Sequence, residues 1–177
     1  TYQKILAEAM EELGMETGIT TRSADDNYVS DCTIETDQLA LIPDSYIDVT
    51  AEKIRIYKEL DSLGSDKEME QMKTRLADRF GPLPDELSRL FDIVRIRQLG
   101  QKLGFEKIII KNGVMIAFFI SNPLSKYYRS DRFSSILEKI NINPKYFELK
   151  QNDNRLRILV RYVGGISEAY SVLKKMS

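Results

Sequence analysis

The sequence predicts an α+β fold, in which an antiparallel sheet built from hairpins is covered by helices. Apolar residues recur mainly at helical spacing up to Leu103, and two pairs of strand-like segments follow, around residues 108–120 and 147–163. Helices and strands do not alternate in the β-α-β order that produces parallel sheets. We therefore expect the two strand pairs to form hairpins within one antiparallel sheet.

An N-terminal helix and linker are predicted to extend from this domain. Residues 1–13 have apolar side chains at helical spacing, whereas residues 14–31 are rich in Gly, Thr, Ser and Asp. A segment of the second kind buries too little apolar surface to offset its ordering, which predicts a flexible linker. The domain is expected to span residues 32–177 and to begin with the alternating strand CTIET. Because residue 1 is not Met, we expect the chain to be a fragment of a longer protein.

Two helices are predicted next, followed by a stiff corner. The first runs from Thr50, a candidate N-cap, to about Leu63, and the sequence SDKE at 65–68 is a capping box for the second. The corner DRFGPLP at 78–84 contains two of the five prolines of the chain and fixes the direction of the next helix. The side chains expected in the core from the second helix are Met69, Met72, Leu76 and Phe80.

The rest of the chain supplies a central helix, the hairpins and two further helices. A helix from Pro84 to Leu103 has apolar residues on two faces and is expected to be central. Asn112-Gly113 predicts a tight hairpin turn, and Ser130 or Asp131 begins a helix through about Ile140. A last amphipathic helix follows Gly164-Gly165. In the second hairpin the residues expected to share a face are Leu156, Ile158, Val160 and Tyr162.

The composition removes most classes of enzyme. The chain has no histidine and a single cysteine, Cys32, and its glycines fit neither the GxGxxG nor the Walker A spacing. We therefore predict no catalytic site, no metal site and no cofactor for this fragment. No apolar run approaches the ~20 residues of a membrane span. One cysteine cannot form an internal disulfide, so we expect a cytoplasmic protein without a membrane partner.

The net charge of −1 conceals a gradient along the chain. Residues 1–70 contain 6 Lys and Arg against 17 Asp and Glu, whereas residues 71–177 contain 20 against 10. The two portions either attract each other within one fold or solvate different faces. The alternative is a DNA-binding accessory domain that uses the basic second half, and its binding would weaken steeply with salt. The candidate residues of that alternative are Arg89, Arg95, Arg97, Lys102, Arg155, Arg157 and Arg161.

Four stretches, with their spacing, resemble a known family. IPDSYI at 42–47, RIYKEL at 55–60, LADRFGPLP at 76–84 and LGF at 103–105 resemble the C-terminal (TRCF) domain of the bacterial transcription-repair coupling factor (Mfd) family. YQKILAEAMEEL at 2–13 is similar to the segment that follows the translocation motif of that family's motor. The resemblance is specific from about Leu41 to Phe105, weaker towards the C-terminus and absent from the linker.

The resemblance implies a regulatory function without catalysis. Parent proteins of this family are ATP-driven translocases of double-stranded DNA, of helicase superfamily 2, which displace stalled RNA polymerase and recruit UvrA for nucleotide excision repair. Their C-terminal domain clamps onto an N-terminal UvrB-like module, hides the UvrA-binding surface and restrains the motor. The implied partner interface contains Arg75, Asp78 and Arg79. Arg75 is a departure, because members often have an acid there. A purely structural part of the motor is a further alternative.

Asp78 is unusual even without the resemblance. An acid in the last turn of a helix faces the negative end of the helix dipole, at a cost of ~0.3 to 1 kcal/mol. We therefore expect a cation to offset it. The sequence leaves two sources open: a local pair with Arg75 or Arg79, or a basic partner surface.

Overall fold

The computed structural model describes residues 28–153 and 155–177. The described chain divides into two units, of which the first contains residues 39–94 and the second contains residues 28–38 and 95–177. The predicted helix at 1–13 and residues 14–27 of the predicted linker lie outside the described residues. The proposed boundaries at residues 13 and 31 stay predictions.

The first unit contains helices α1 (Thr50–Ser62) and α2 (Asp66–Phe80) and the beginning of α3 (Asp85–Leu103). The N-cap of α1 is Val49 rather than Thr50, because the Val49 carbonyl already accepts the Lys53 N–H at 3.1 Å. The predicted capping box of α2 is confirmed: the Ser65 hydroxyl accepts the Glu68 N–H at 3.2 Å. The Glu68 side chain reaches back, as predicted, and its carboxylate accepts the N–H of Gly64, the residue before the N-cap, at 2.6 Å.

The core of the first unit is mainly aliphatic, with Tyr57 and Phe91 as its buried rings. Met69, Met72 and Leu76 of α2 are buried, as predicted. Phe80 differs, because it is only half-buried. Its ring lies 5.9 Å from that of Tyr46 and under the Arg79 guanidinium at 4.8 Å, so it forms the edge of the core. The remaining buried side chains include Ile42, Ile47, Ile54, Ile56, Tyr57, Leu60, Leu87, Leu90 and Phe91.

The Gly-Pro-Leu-Pro corner is held in place by Tyr46. Gly81 adopts φ 95°, a conformation that side chains rarely adopt, and its N–H donates to the Ala77 carbonyl at 3.0 Å. The Tyr46 hydroxyl lies 3.1 Å from the Leu76 carbonyl oxygen and 2.8 Å from that of Gly81. Pro84 immediately precedes α3, and its carbonyl accepts the N–H groups of Leu87 and Ser88. The end of α2 is therefore fixed by both its backbone and a side chain.

The second unit is built on a five-stranded sheet with strand order β1-β2-β3-β5-β4. The strands are β1 (Thr33–Thr36), β2 (Phe105–Lys111), β3 (Val114–Phe119), β4 (Phe147–Asn152) and β5 (Arg155–Arg161). The α+β class and both hairpins are confirmed, and Asn112 and Gly113 have the positive φ of the predicted tight turn. The sheet is mixed, because β1 pairs with β2 in parallel.

The second unit also contains the end of α3. Its other helical segments are a 3-10 turn (Lys126–Arg129), α4 (Asp131–Ile142) and α5 (Ile166–Met176). The Ser130 hydroxyl caps α4 by accepting the Phe133 N–H at 3.3 Å. One expectation for the second hairpin is wrong. Tyr162 does not join the buried face of β5, because the strand ends at Arg161 and Tyr162 adopts φ 61° with 72% of its surface exposed.

The last four residues of the predicted linker contact the second unit. The Tyr28 ring meets that of Tyr127 edge-on at 5.3 Å, and Val29 is buried. Asp31 pairs with Arg97 at 3.0 Å, and the Gln101 amide donates to the Ser30 carbonyl at 3.0 Å. Residues 28–31 are therefore joined to this unit by packing and by polar contacts.

Candidate docking groove

A groove of about 420 Å³ lies between α1 and α2 of the first unit. Its apolar part is formed by Ile56, Met72, Leu76 and Phe80. Its polar part is formed by Arg55, Glu59, Arg75 and Arg79. An apolar cleft bordered by arginines is the arrangement found where one protein surface docks on another.

The arginines at the groove are oriented by acids of α1. Arg79 and Arg55 both pair with Glu52, each at 2.6 Å, and Arg75 pairs with Glu59. The three arginine side chains keep 61 to 63% of their surface exposed. Exposed pairs of this kind contribute ~0 to 1 kcal/mol, so they position the guanidinium groups without removing them from a partner's reach.

Asp78 is exposed and lies outside the groove lining, on the same helix as Arg75 and Arg79. Both arginines that were candidates for a local pair are directed to Glu59 and Glu52 instead. Within residues 28–153 and 155–177, no cation forms an ion pair with the Asp78 carboxylate. The unfavourable position of this acid at the end of α2 is therefore not offset inside the described part of the chain.

Three residues of this surface were missed in the sequence: Glu52, Arg55 and Glu59. Their spacing of three and four residues places them on one face of α1. The spacing is visible in the sequence and predicts a shared face, but only the structure shows that this face pairs with the arginines of α2.

The described residues contain little other reactive chemistry. In these parts of the chain, no group of three His, Cys, Asp or Glu residues is placed to hold a metal ion. Burial, and secondarily Asp31, raises the pKa of the Cys32 thiol from 9.0 to about 12, which disfavours the reactive thiolate. No described helix is long and apolar enough to cross a bilayer.

The basic residues of the DNA-binding alternative fall into separate places. In the first unit, Arg89 donates to the Leu39 carbonyl at 2.6 Å. In the second unit, Arg95, Arg97 and Lys102 lie on α3. The structure brings the remaining three together on β5: Arg155, Arg157 and Arg161.

The family to which the chain belongs is shown by its match to a family model. The TRCF domain model matches residues 36–130, which include the groove, the corner and α3. The chain belongs to the TRCF domain family. The resemblance of the four sequence stretches is thereby confirmed.

Relatives of this TRCF domain are named transcription-repair-coupling factors. The protein of Rickettsia bellii is 33% identical over 139 residues, 77% of this chain, and that of Escherichia coli is 42% identical over 69 residues, 39% of this chain. The protein of Rickettsia typhi is 30% identical over 175 residues, 97% of this chain. The matched segments span only 6 to 14% of the length of these relatives.

A solved structure confirms the fold. A crystal structure of the C-terminal domain of a transcription-repair coupling factor matches with a TM-score of 0.64 at 18% identity. The match covers 82% of this chain and 93% of the other. At this identity the likeness extends to the fold alone.

Proposed function

We propose that this TRCF domain is the non-catalytic, autoinhibitory C-terminal domain of a transcription-repair coupling factor. In this proposal it clamps an N-terminal UvrB-like module of the same protein and masks the UvrA-binding surface. Clamping also restrains an ATP-driven motor that moves on double-stranded DNA and displaces RNA polymerase. Family membership supports the general role, and the surface of α2 supports the clamp.

The observation that supports the clamp is the environment of the Asp78 carboxylate. Its carboxylate is exposed at the unfavourable end of α2, and its neighbouring arginines pair with α1. A cation supplied by a docked partner would offset the helix dipole and would be desolvated together with the acid. The proposed interface therefore contains Asp78 together with Arg75 and Arg79.

Arg75 sets the charge pattern that the partner needs. It lies three residues before Asp78, at a position where the family resemblance leads us to expect an acid. A complementary partner surface presents a cation towards Asp78 and an acid towards Arg75. Glu59 already engages Arg75, so Asp78 is the stronger determinant of docking.

The test uses the full-length parent protein and UvrA. Replacing Asp78 by Lys should open the clamp, because breaking a buried charge pair at an interface costs ~2 to 5 kcal/mol. We expect more UvrA to be recovered in a pull-down with the Asp78→Lys protein, and a higher basal ATPase rate. The matched control is Glu138→Lys, the same charge change at an exposed position of α4 in the second unit.

Two results would contradict the proposal. One is equal recovery of UvrA by the wild-type and Asp78→Lys proteins, both shown to be folded by circular dichroism. The other is an equal gain with Glu138→Lys, which would indicate a general charge effect rather than a clamp at α2.

A further inference from the structure

The outward face of the sheet in the second unit combines cations with aromatic rings. The strand register places Lys107, Phe118, Arg157 and Lys150 in one row across β2, β3, β5 and β4. The Phe118 ring lies near two cations, at 4.8 Å from the Arg155 guanidinium and 6.0 Å from the Lys107 ammonium. All of these side chains keep part of their surface accessible.

A second row lies four residues further along the strands, roughly 13 Å away at ~3.3 Å per residue. It contains Lys111, Val114 and Arg161, and Tyr146 adjoins it because the Arg161 N–H donates to the Tyr146 carbonyl at 2.8 Å. Between the two rows lie Ile109, Ile116 and Leu159, and this middle row ends in Glu35 on β1 and Glu148 on β4. Two cationic rows therefore border an apolar strip.

A pair of exposed tyrosines ends this face. The rings of Tyr146 and Tyr162 meet edge-on at 5.8 Å, with 44% and 72% of each residue exposed. Lys145 lies 5.7 Å from the centre of the Tyr146 ring. Tyr162 holds φ 61°, which is an outlier for a bulky residue, and such backbone strain persists where the surroundings impose it, often at binding sites.

The charge of the unit is complementary to a polyanion. Residues 28–38 and 95–177 contain 16 Lys and Arg against 9 Asp and Glu, a net charge of +7. Acids pair with several cations of the face: Glu148 with Arg161 and Lys150, Glu35 with Lys107, and Glu106 with Arg155. In the described chain, Lys111 and Arg157 have no acid partner, and Arg157 donates to the neutral Asn152 amide oxygen, so neither charge is neutralised.

We propose that this outward face and its tyrosine pair bind single-stranded DNA. The cationic rows contact the phosphates, and Tyr162, Tyr146 and the apolar strip contact the faces of the bases. A duplex hides those faces inside its base stack, and a polyanion without rings, such as polyglutamate, offers nothing to stack on the tyrosines. Neither kind of contact involves a 2′-hydroxyl, so the face itself does not distinguish DNA from RNA. The choice of DNA therefore rests on the proposed function, whereas the single-strand site does not.

The test measures fluorescence anisotropy of a labelled oligothymidylate of about 20 nucleotides with the 177-residue chain. Tyr162→Ala should weaken binding about tenfold, whereas Tyr162→Phe, which keeps the ring, should bind as the wild type does. The double variant Lys111→Gln, Arg157→Gln should lower the slope of log Kd against log salt by about 1.4, at ~0.7 per contact. The matched control is Lys174→Gln, Lys175→Gln, two exposed lysines of α5.

Each comparison has an outcome that overturns the proposal. Equal binding by the wild type and Tyr162→Ala, with unchanged urea midpoints, removes the stacking site. Equal losses of affinity in the Lys111→Gln, Arg157→Gln and the Lys174→Gln, Lys175→Gln double variants would show that binding depends on net charge alone. Tighter binding of a duplex or of polyglutamate excludes a single-strand site, and tighter binding of oligouridylate assigns the face to RNA instead. The UvrA pull-down with Asp78→Lys does not involve this face, so either proposal can fail alone.

Discussion

The two units of this chain differ in charge and in how they use aromatic residues. Residues 39–94 of the first unit contain 8 Lys and Arg against 12 Asp and Glu, a net charge of −4, whereas the second unit carries +7. The gradient in the sequence therefore follows the units. It favours a separate partner for each unit: a protein surface at α1 and α2, and a polyanion at the sheet.

The cores differ as well. In the first unit the tyrosines carry polar contacts: Tyr57 accepts the Ile42 N–H at 3.0 Å, and Tyr46 holds the end of α2. In the second unit Tyr127 is the centre of a ring cluster with Phe119 and Phe133, at centroid distances of 6.0 and 5.4 Å. A close-packed ring cluster tolerates added volume poorly, because no neighbour has room to move.

The largest expected effect compares one glycine from each unit. A Cβ on Gly104 would lie 2.2 Å from the Tyr127 ring, whereas a Cβ on Gly81 would meet nothing within 4 Å. Both residues have positive φ, 91° and 95°. We expect Gly81→Ala to cost about 1 to 2 kcal/mol from backbone strain alone, and Gly104→Ala at least about 3 kcal/mol because overpacking is added.

Urea unfolding of the two variants measures this difference. Tyr127→Ala and Gly104→Ala together should cost less than the sum of the two single changes, because the new Cβ then no longer meets the ring. Equal destabilisation by the two glycine variants would contradict the difference in packing between the units.

A smaller effect is expected on the pH dependence of unfolding. It comes from Cys32, which is buried in the second unit. Burial raises its pKa from 9.0 to about 12, so the folded thiol keeps its proton at pH values where the unfolded thiol loses it. The free energy of unfolding should therefore be independent of this group below pH 9. Above pH 9 it should fall by up to ~1.4 kcal/mol per pH unit, until about pH 12.

The measurement compares the slope of the urea midpoint between pH 9 and 10 in the wild type and in Cys32→Ala. Burial also raises the pKa of Tyr46, Tyr57, Tyr127 and Tyr128 from 10.0, so these tyrosines contribute a slope of the same sign in both proteins. Cys32→Ala should reduce the slope and leave the part that the tyrosines contribute. A wild-type slope that persists unchanged in Cys32→Ala would show that another group titrates there.

Much of the fold was predictable because local patterns determined it. The capping box at Ser65 and Glu68, the Asn112-Gly113 turn and the Ser130 cap each depend on residues within four positions of one another. The parallel pairing of β1 with β2 was not predictable in this way, because Thr33 and Lys107 are far apart in sequence. Tyr162 was misplaced because strand alternation gives no signal for the residue at which a strand ends.

Only the α2 residues of the candidate site were predictable from the sequence. Arg75, Asp78 and Arg79 were identified from the corner and from the family pattern, but their ion-pair partners on α1 were not. Pairing across two helices depends on the packing angle and on rotamers, which sequence spacing does not determine. The exposure of Asp78 without a cation partner in the described residues is likewise a product of that packing.

The most direct test of the clamp measures binding between the 177-residue chain and the separate UvrB-like module by isothermal titration calorimetry. We expect Asp78→Lys to weaken this binding at least about 30-fold, the equivalent of ~2 kcal/mol, while Glu138→Lys binds as the wild type does. The isolated Asp78→Lys chain should stay within ~1 kcal/mol of wild-type stability, since no ion pair within residues 28–153 and 155–177 is lost. Equal dissociation constants for wild type and Asp78→Lys, with both chains folded, would contradict the assignment of α2 as the docking surface.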